Sequence, residues 1–223
     1  MFMVVIQLGA IMAVVVLYFK DLWPFHNRRP KHHNVTKIEK TAGFICRFVQ
    51  IDKMIMWFKI VVSCLPAIII ALPFNDFIEE KFNNYFVVAV MLIVYGVLFI
   101  LIEDYNKKRD PAVNSIAEIS WKMALLIGVF QLLAVIPGTS RSGATIIGGI
   151  LLGASRTVAA EYTFFLAIPT MFAASLLKLV KFGLHFTGAE LMILVVGMVV
   201  SFVVSILAIK FLMGYIKKHD FKV

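Results

Sequence analysis

The sequence is short of charge, of acid and of cysteine. Charged residues make up 16% of its 223 residues and hydrophobic ones 61%, against roughly 25% and 45–50% in a soluble domain. A chain of that composition cannot hide its apolar surface in water, which argues against a soluble globular fold. Its two cysteines, Cys46 and Cys64, form no metal-ligand spacing and say little about redox compartment. The segment Met1 to Phe19 lacks a basic n-region and a small-residue cleavage site, so it reads as a mature span rather than a signal peptide. Acidic residues number 13 against 22 Lys and Arg, a net charge of +9. Those cations lie mostly between apolar blocks, where they set topology and meet anionic lipid headgroups; no nucleic-acid partner is expected.

What is present is a series of apolar blocks of the length that a hydrocarbon core about 30 Å thick demands. They predict spans at about 3–19, 54–74, 85–102, 162–180 and 191–213. The loop 20–53 carries Lys20, Arg28, Arg29, Lys31, Lys37, Lys40, Arg47 and Lys53, and is expected to be cytoplasmic. Its histidines His26, His32 and His33 have no Cys or carboxylate partner at ligand spacing and read as part of a solvated basic loop. Lys59 lies near enough to the inner end of its span to snorkel, and Pro66 should kink that helix. Asn75 to Asn84 reads as a short acidic outer loop, and Glu103 to about Ser120 as a charged inner one.

Trp121 to Ile136 and Ala144 to Ala154, about 16 and 11 residues, are both short for a full crossing. They predict a re-entrant hairpin of two half-helices over about 121–154. The expected fold is all-α: a polytopic integral membrane protein forming one membrane domain over residues 1–223.

Between the half-helices stands the polar run PGTSRSGAT, Pro137 to Thr145, in the most apolar part of the chain. An arginine at that depth costs at least about 2.5 kcal/mol, so Arg141 should face a cavity and have a partner. A surface loop between two interfacial helices is the plainer alternative. Thr139, Ser140, Ser142 and Thr145 offer hydroxyls, Arg141 a planar fork that suits phosphate oxygens, and Gly138 and Gly143 let backbone approach a ligand. A helix starting near Gly143 would aim its N-terminal amides at the same place. Together these residues describe an oxyanion site. Gly148, Gly149 and Gly153 are at a spacing for close helix packing rather than chemistry.

The run QLLAVIPGTSRSGAT, Gln131 to Thr145, with AAEYTF, Ala159 to Phe164, and VVIQLGAI, Val4 to Ile11, resembles the signature regions of the undecaprenyl-diphosphatases, also called bacitracin-resistance proteins. The resemblance covers nearly the whole chain. It implies a polyprenyl diphosphate substrate hydrolysed to the monophosphate, a lipid carrier recycled for cell-wall synthesis, in the bacterial plasma membrane. Ser140, Arg141 and Thr145 match the family's PGxSRSxxT pattern and are carried over as catalytic, with Gly138, Thr139, Ser142 and Gly143 as substrate-binding. Glu161 matches an acidic position of the family, although a helix-start carboxylate explains it as well. Membrane lipids are the other expected partners, and the resemblance admits a homodimer.

The family's glutamate-rich pattern EGxTExxPxSSxGH does not occur in the 223 residues. Its glutamates are the groups expected to hold a divalent cation, Mg²⁺ by the resemblance. The chain is therefore expected to be a copy shortened at both ends, one that binds diphosphate and hydrolyses it poorly. Two other classes compete. An acid-phosphatase-like lipid phosphatase would need a catalytic His near a second Ser-Arg pair, and none of His26, His32, His33, His185 or His219 lies in one. A transporter or flippase for an anionic lipid or solute is the non-enzymatic rival, since half-helices meeting at a midplane arginine also describe anion carriers.

Overall fold

The computed structural model describes residues 2–25, 50–106, 109–182 and 188–216. Cys46 and all five histidines lie outside them, with most of the basic loop and the tail after Ile216. In order the helices are α1 (Phe2–Leu17), α2 (Phe19–Leu22), α3 (Ile51–Pro66), α4 (Leu72–Phe82), α5 (Tyr85–Asn106), α6 (Trp121–Gln131), α7 (Arg141–Leu151), α8 (Arg156–Phe182) and α9 (Gly188–Ile216). Four segments are long and apolar enough to cross a membrane: Ile51–Ile70, Tyr85–Asn106, Arg156–Leu176 and Glu190–Ile216. Leu92, Ile93 and Leu101 of α5 and Val203, Leu207 and Phe211 of α9 are exposed. Apolar surface of that extent on spanning-length helices is surface for lipid. The chain is an all-α multi-pass membrane protein.

Pro66 does bring irregularity: it ends α3, and a π-helical stretch, Ala67–Ala71, joins it to α4. A proline has no N–H to give the preceding turn, and one wide turn absorbs the mismatch. Four sequence expectations need correction. Residues 75–82 are helical, the outer part of α4, and only 83–84 turn; acidic composition signals contact with water, while Glu and Lys are good helix formers. Glu103 belongs to the last turn of α5, not to a loop. Lys59 is largely buried rather than extended into water, and its Nζ donates to the Ala117 carbonyl at 3.2 Å, in the 3₁₀ turn Ile116–Glu118. The helix carrying Glu161 starts at Arg156, after Ser155, whose Oγ accepts the Val158 N–H at 3.3 Å. Glu161 thus lies beyond the first turn, where the helix dipole is worth little.

The hairpin α6–α7 occupies the middle of the larger core, with Ile127, Ala144, Ile147 and Ile150 packed among Ile60, Tyr162 and Phe165. α6 lies against α3 so closely that a side chain on Gly128 would collide with the Ser63 carbonyl. Ser63 in turn locks three helices: its Oγ bonds the Ala124 carbonyl at 2.6 Å and the Tyr162 hydroxyl at 2.7 Å. Gly148 meets the Phe130 ring and Gly149 meets Ala159, so these glycines serve packing of the arms. A second core joins α1, α8 and α9 through Ile11, Val14, Ala160, Ile209 and Met213.

α5 backs the hairpin from tip to base, with Val88 against Gly138, Phe99 against Gly143, and Glu103 paired with Arg156 just past α7. Glu103 is 1% exposed. Beside the pair, Val113 donates to the Gly153 carbonyl at 3.0 Å and accepts from the Ser155 N–H at 2.9 Å. Arg156→Leu leaves a buried carboxylate without its cation and is expected to cost about 3 kcal/mol, the low end for a broken buried pair because Arg156 is partly exposed. Thermal unfolding in detergent checks this: adding Glu103→Leu should recover most of the loss, and simple additivity would show that the pair is uncoupled.

Candidate anion site at the hairpin tip

Ser140 determines where α7 begins. It has extended backbone, and its Oγ accepts the Gly143 N–H at 3.2 Å, so it is the N-cap of the helix. Arg141, Ser142 and Gly143 therefore form the first helical turn. The expected half-helix from Ala144 starts three residues early, because the capping hydroxyl satisfies a donor that a loop would have left to water. The tip itself is Ile136 to Thr139, closed by the Thr139 N–H on the Ile136 carbonyl at 3.1 Å.

Gly138 sits at φ +90°, and a Cβ there would come within 2.7 Å of the Val88 Cα and 2.8 Å of its carbonyl oxygen. Both the conformation and the space require glycine. Gly138→Ala is expected to destabilise the protein by about 2 kcal/mol and to shift Arg141 relative to α8. A chain that melts and binds ligand as the parent does would show that the tip tolerates a different path.

The guanidinium of Arg141 makes one hydrogen bond to a described residue, from Nη1 to Thr170 Oγ1 at 2.7 Å. Thr170 is free to accept it because its own hydroxyl donates back to Leu166 and Ala167 carbonyls at 2.9 and 3.2 Å. Thr145 Oγ1 donates within α7, to the Arg141 or Ser142 carbonyl at 3.0 and 3.1 Å, and accepts from Thr163 Oγ1 at 3.0 Å. A ladder of threonines thus runs between α7 and α8 beside the arginine. It holds the first turn of α7 and leaves most of the five guanidinium N–H groups available.

These groups open on a cavity of about 350 Å³. Gln131, Arg141, Ser142, Thr145 and Thr163 form its polar wall, and α1, α8 and α9 close it with Ile11, Val14, Phe164, Met171 and Ile209. Among the described residues, Arg141 is the one charged member of this lining. Of the residues expected from sequence, the cavity takes Arg141, Ser142 and Thr145. Ser140 is exposed and serves as cap, with Ser142 Oγ 3.2 Å from its own Oγ. Gly138 and Gly143 shape backbone, against Val88 and Phe99. Thr139 Oγ1 is buried, with Tyr95 of α5 as its polar neighbour at a geometry short of a normal hydrogen bond. Glu161 does not line the cavity, and it is half-buried on α8.

Three contributors were not foreseen: Thr163, Thr170 and Gln131. The threonines stand seven apart on α8, two turns along one face, and seven-residue spacing of hydroxyls in an apolar helix was the available signal.

A divalent cation would need carboxylates here. The cavity wall offers a guanidinium, hydroxyls and one carboxamide, and no group of three His, Cys, Asp or Glu able to hold a metal occurs among the described residues. The residues present do not fit Mg²⁺.

These features define a helical membrane protein whose core holds a hairpin with an arginine at the wall of a cavity lined by hydroxyls, a carboxamide and apolar side chains. The whole chain, residues 1–223, matches the family described as Bacitracin resistance protein BacA, and it belongs to that family. It is 59% identical over 224 residues to an undecaprenyl-diphosphatase of Desulfitobacterium hafniense, covering all of this chain and 75% of the relative. The undecaprenyl-diphosphatase of Lachnoclostridium phytofermentans is 58% identical over 223 residues, and that of Enterococcus faecalis 53%, each with 76% of the relative covered.

Proposed function

We propose that this protein binds undecaprenyl diphosphate in the bacterial plasma membrane and hydrolyses it to undecaprenyl phosphate and inorganic phosphate. The observation that carries the reading is the cavity at the hairpin tip, where among the described residues one guanidinium is the only charge in a lining of hydroxyls, one carboxamide and apolar side chains. A diphosphate supplies the matching anion, and two parallel N–H bonds from an arginine are the strong form of that contact. The lipid part of the substrate has a surface too. An apolar groove of about 770 Å³, bounded by Ile6, Val196, Val200 and Val204, shares Ser205 with the cavity.

In the proposed reaction a water oxygen bonds to the terminal phosphorus as the bridging P–O bond breaks, the leaving oxygen stays on the lipid phosphate, and the proton lost by the water passes to solvent or to a phosphate oxygen. Such a transfer depends on position and on neutralising negative charge. Arg141 is placed for both tasks: Thr170 fixes its direction, and removal from water strengthens its hold on the phosphoryl oxygens. Thr145 and Thr163 keep the first turn of α7 rigid, and Ser142 adds a hydroxyl at the wall.

Release of inorganic phosphate from undecaprenyl diphosphate, in vesicles without any gradient, tests this against the transport reading. The expected result is release above buffer that disappears in Arg141→Ala. No release from either protein, with substrate movement across the bilayer instead, would favour a carrier.

A further inference from the structure

We propose that Gln131 is a further substrate-binding residue of this cavity, its carboxamide donating N–H bonds to the phosphoryl oxygens beside Arg141. The inference rests on the reading of the cavity given above. Gln131 is the last residue of α6, on the opposite arm of the hairpin from Arg141, and the chain tightens into the 3₁₀ turn Leu132–Val135 directly after it. Its side chain is 5% exposed and lines the same cavity as Arg141, Ser142 and Thr145. It makes no hydrogen bond to any described residue.

Its amide atoms are not among the enclosed polar atoms left without a partner, so they face the cavity space, where a ligand can take up their hydrogen bonds. Its neighbours on the wall each have a protein partner: Arg141 has Thr170, Ser142 has Ser140, Thr145 has the α7 carbonyls, and Thr163 has Thr145. A carboxamide that faces the cavity from the end of a helix, with no protein partner while its neighbours have one, is placed for a partner that arrives with the ligand. Its chemistry suits a diphosphate. The amide offers two N–H donors without adding charge, so it can contact oxygens beyond those gripped by the guanidinium. With one donor group on each arm, a bound diphosphate would bridge α6 and α7 across the tip.

The test is calorimetric titration of the purified chain in lipid nanodiscs with undecaprenyl diphosphate and, separately, with inorganic pyrophosphate. Gln131→Met, which keeps size and loses the donors, is expected to weaken both ligands about tenfold or more, as hydrogen bonds to charged groups do. Gln131→Glu, which keeps the shape and opposes the anion, is expected to weaken them further. Should the methionine variant unfold at a lower temperature, the glutamate variant decides by the same criterion. Affinity within twofold of the parent in these variants, while Arg141→Ala loses binding, overturns the proposal for Gln131 alone. Parent-like affinity in Arg141→Ala as well overturns the reading of the cavity and this proposal with it.

Discussion

Arg141→Lys is expected to weaken binding of undecaprenyl diphosphate by at least about tenfold, and Arg141→Ala by about a hundredfold, since each hydrogen bond to a charged group is worth about 1.5–3 kcal/mol. Lysine keeps the charge, so a purely electrostatic role would leave its variant close to the parent. The structure argues otherwise. Arg141 projects from the first turn of α7 and is held by one hydrogen bond to Thr170, which leaves a planar fork facing the cavity. An ammonium group on a flexible stem cannot hold Thr170 and present two parallel donors at once. Parent-like affinity in Arg141→Lys would reduce Arg141 to a point charge that sets topology or field.

The second large effect concerns rate. With Mg²⁺ present, phosphate release by this chain is expected to be at least about a hundredfold slower than by the Desulfitobacterium hafniense relative measured beside it, since metal-ion charge stabilisation is worth several kcal/mol. The reason lies in the cavity wall, which has donors for the substrate's oxygens and no carboxylate to hold a cation near them. Binding is expected to survive, because Arg141, Thr145, Thr163 and Thr170 are all in place. Equal rates would mean that another residue of this chain supplies the missing role.

Much of the architecture is legible in the sequence because the bilayer imposes length. Apolar blocks of twenty residues announce α5 and α9, and the polar break at Pro137–Gly138 between two short blocks announces a hairpin. Boundaries are harder. Ser140 reads equally well as loop or cap until the Gly143 N–H is seen on its Oγ, and that single bond moves Arg141 from a turn into a helix. Partners distant in sequence are harder still: nothing in the local pattern at Glu103 shows that Arg156 will meet it, or at Arg141 that Thr170 will. Long-range pairs depend on how helices cross, which ridge packing sets only once all of them are placed. Gln131 was visible as a polar residue in an apolar run, but its unpaired state is a property of the cavity alone.

The central claim is that the hairpin-tip cavity receives the diphosphate head of a polyprenyl lipid through Arg141. Its most direct test is an affinity series in lipid nanodiscs: undecaprenyl diphosphate, undecaprenyl phosphate and undecaprenol, each against the parent chain and Arg141→Ala. The expected order for the parent is diphosphate above monophosphate, with the alcohol at least about a hundredfold weaker, and for Arg141→Ala all three close to the alcohol. Equal affinity of the parent for the alcohol and the diphosphate, or an unchanged series in Arg141→Ala, would contradict it.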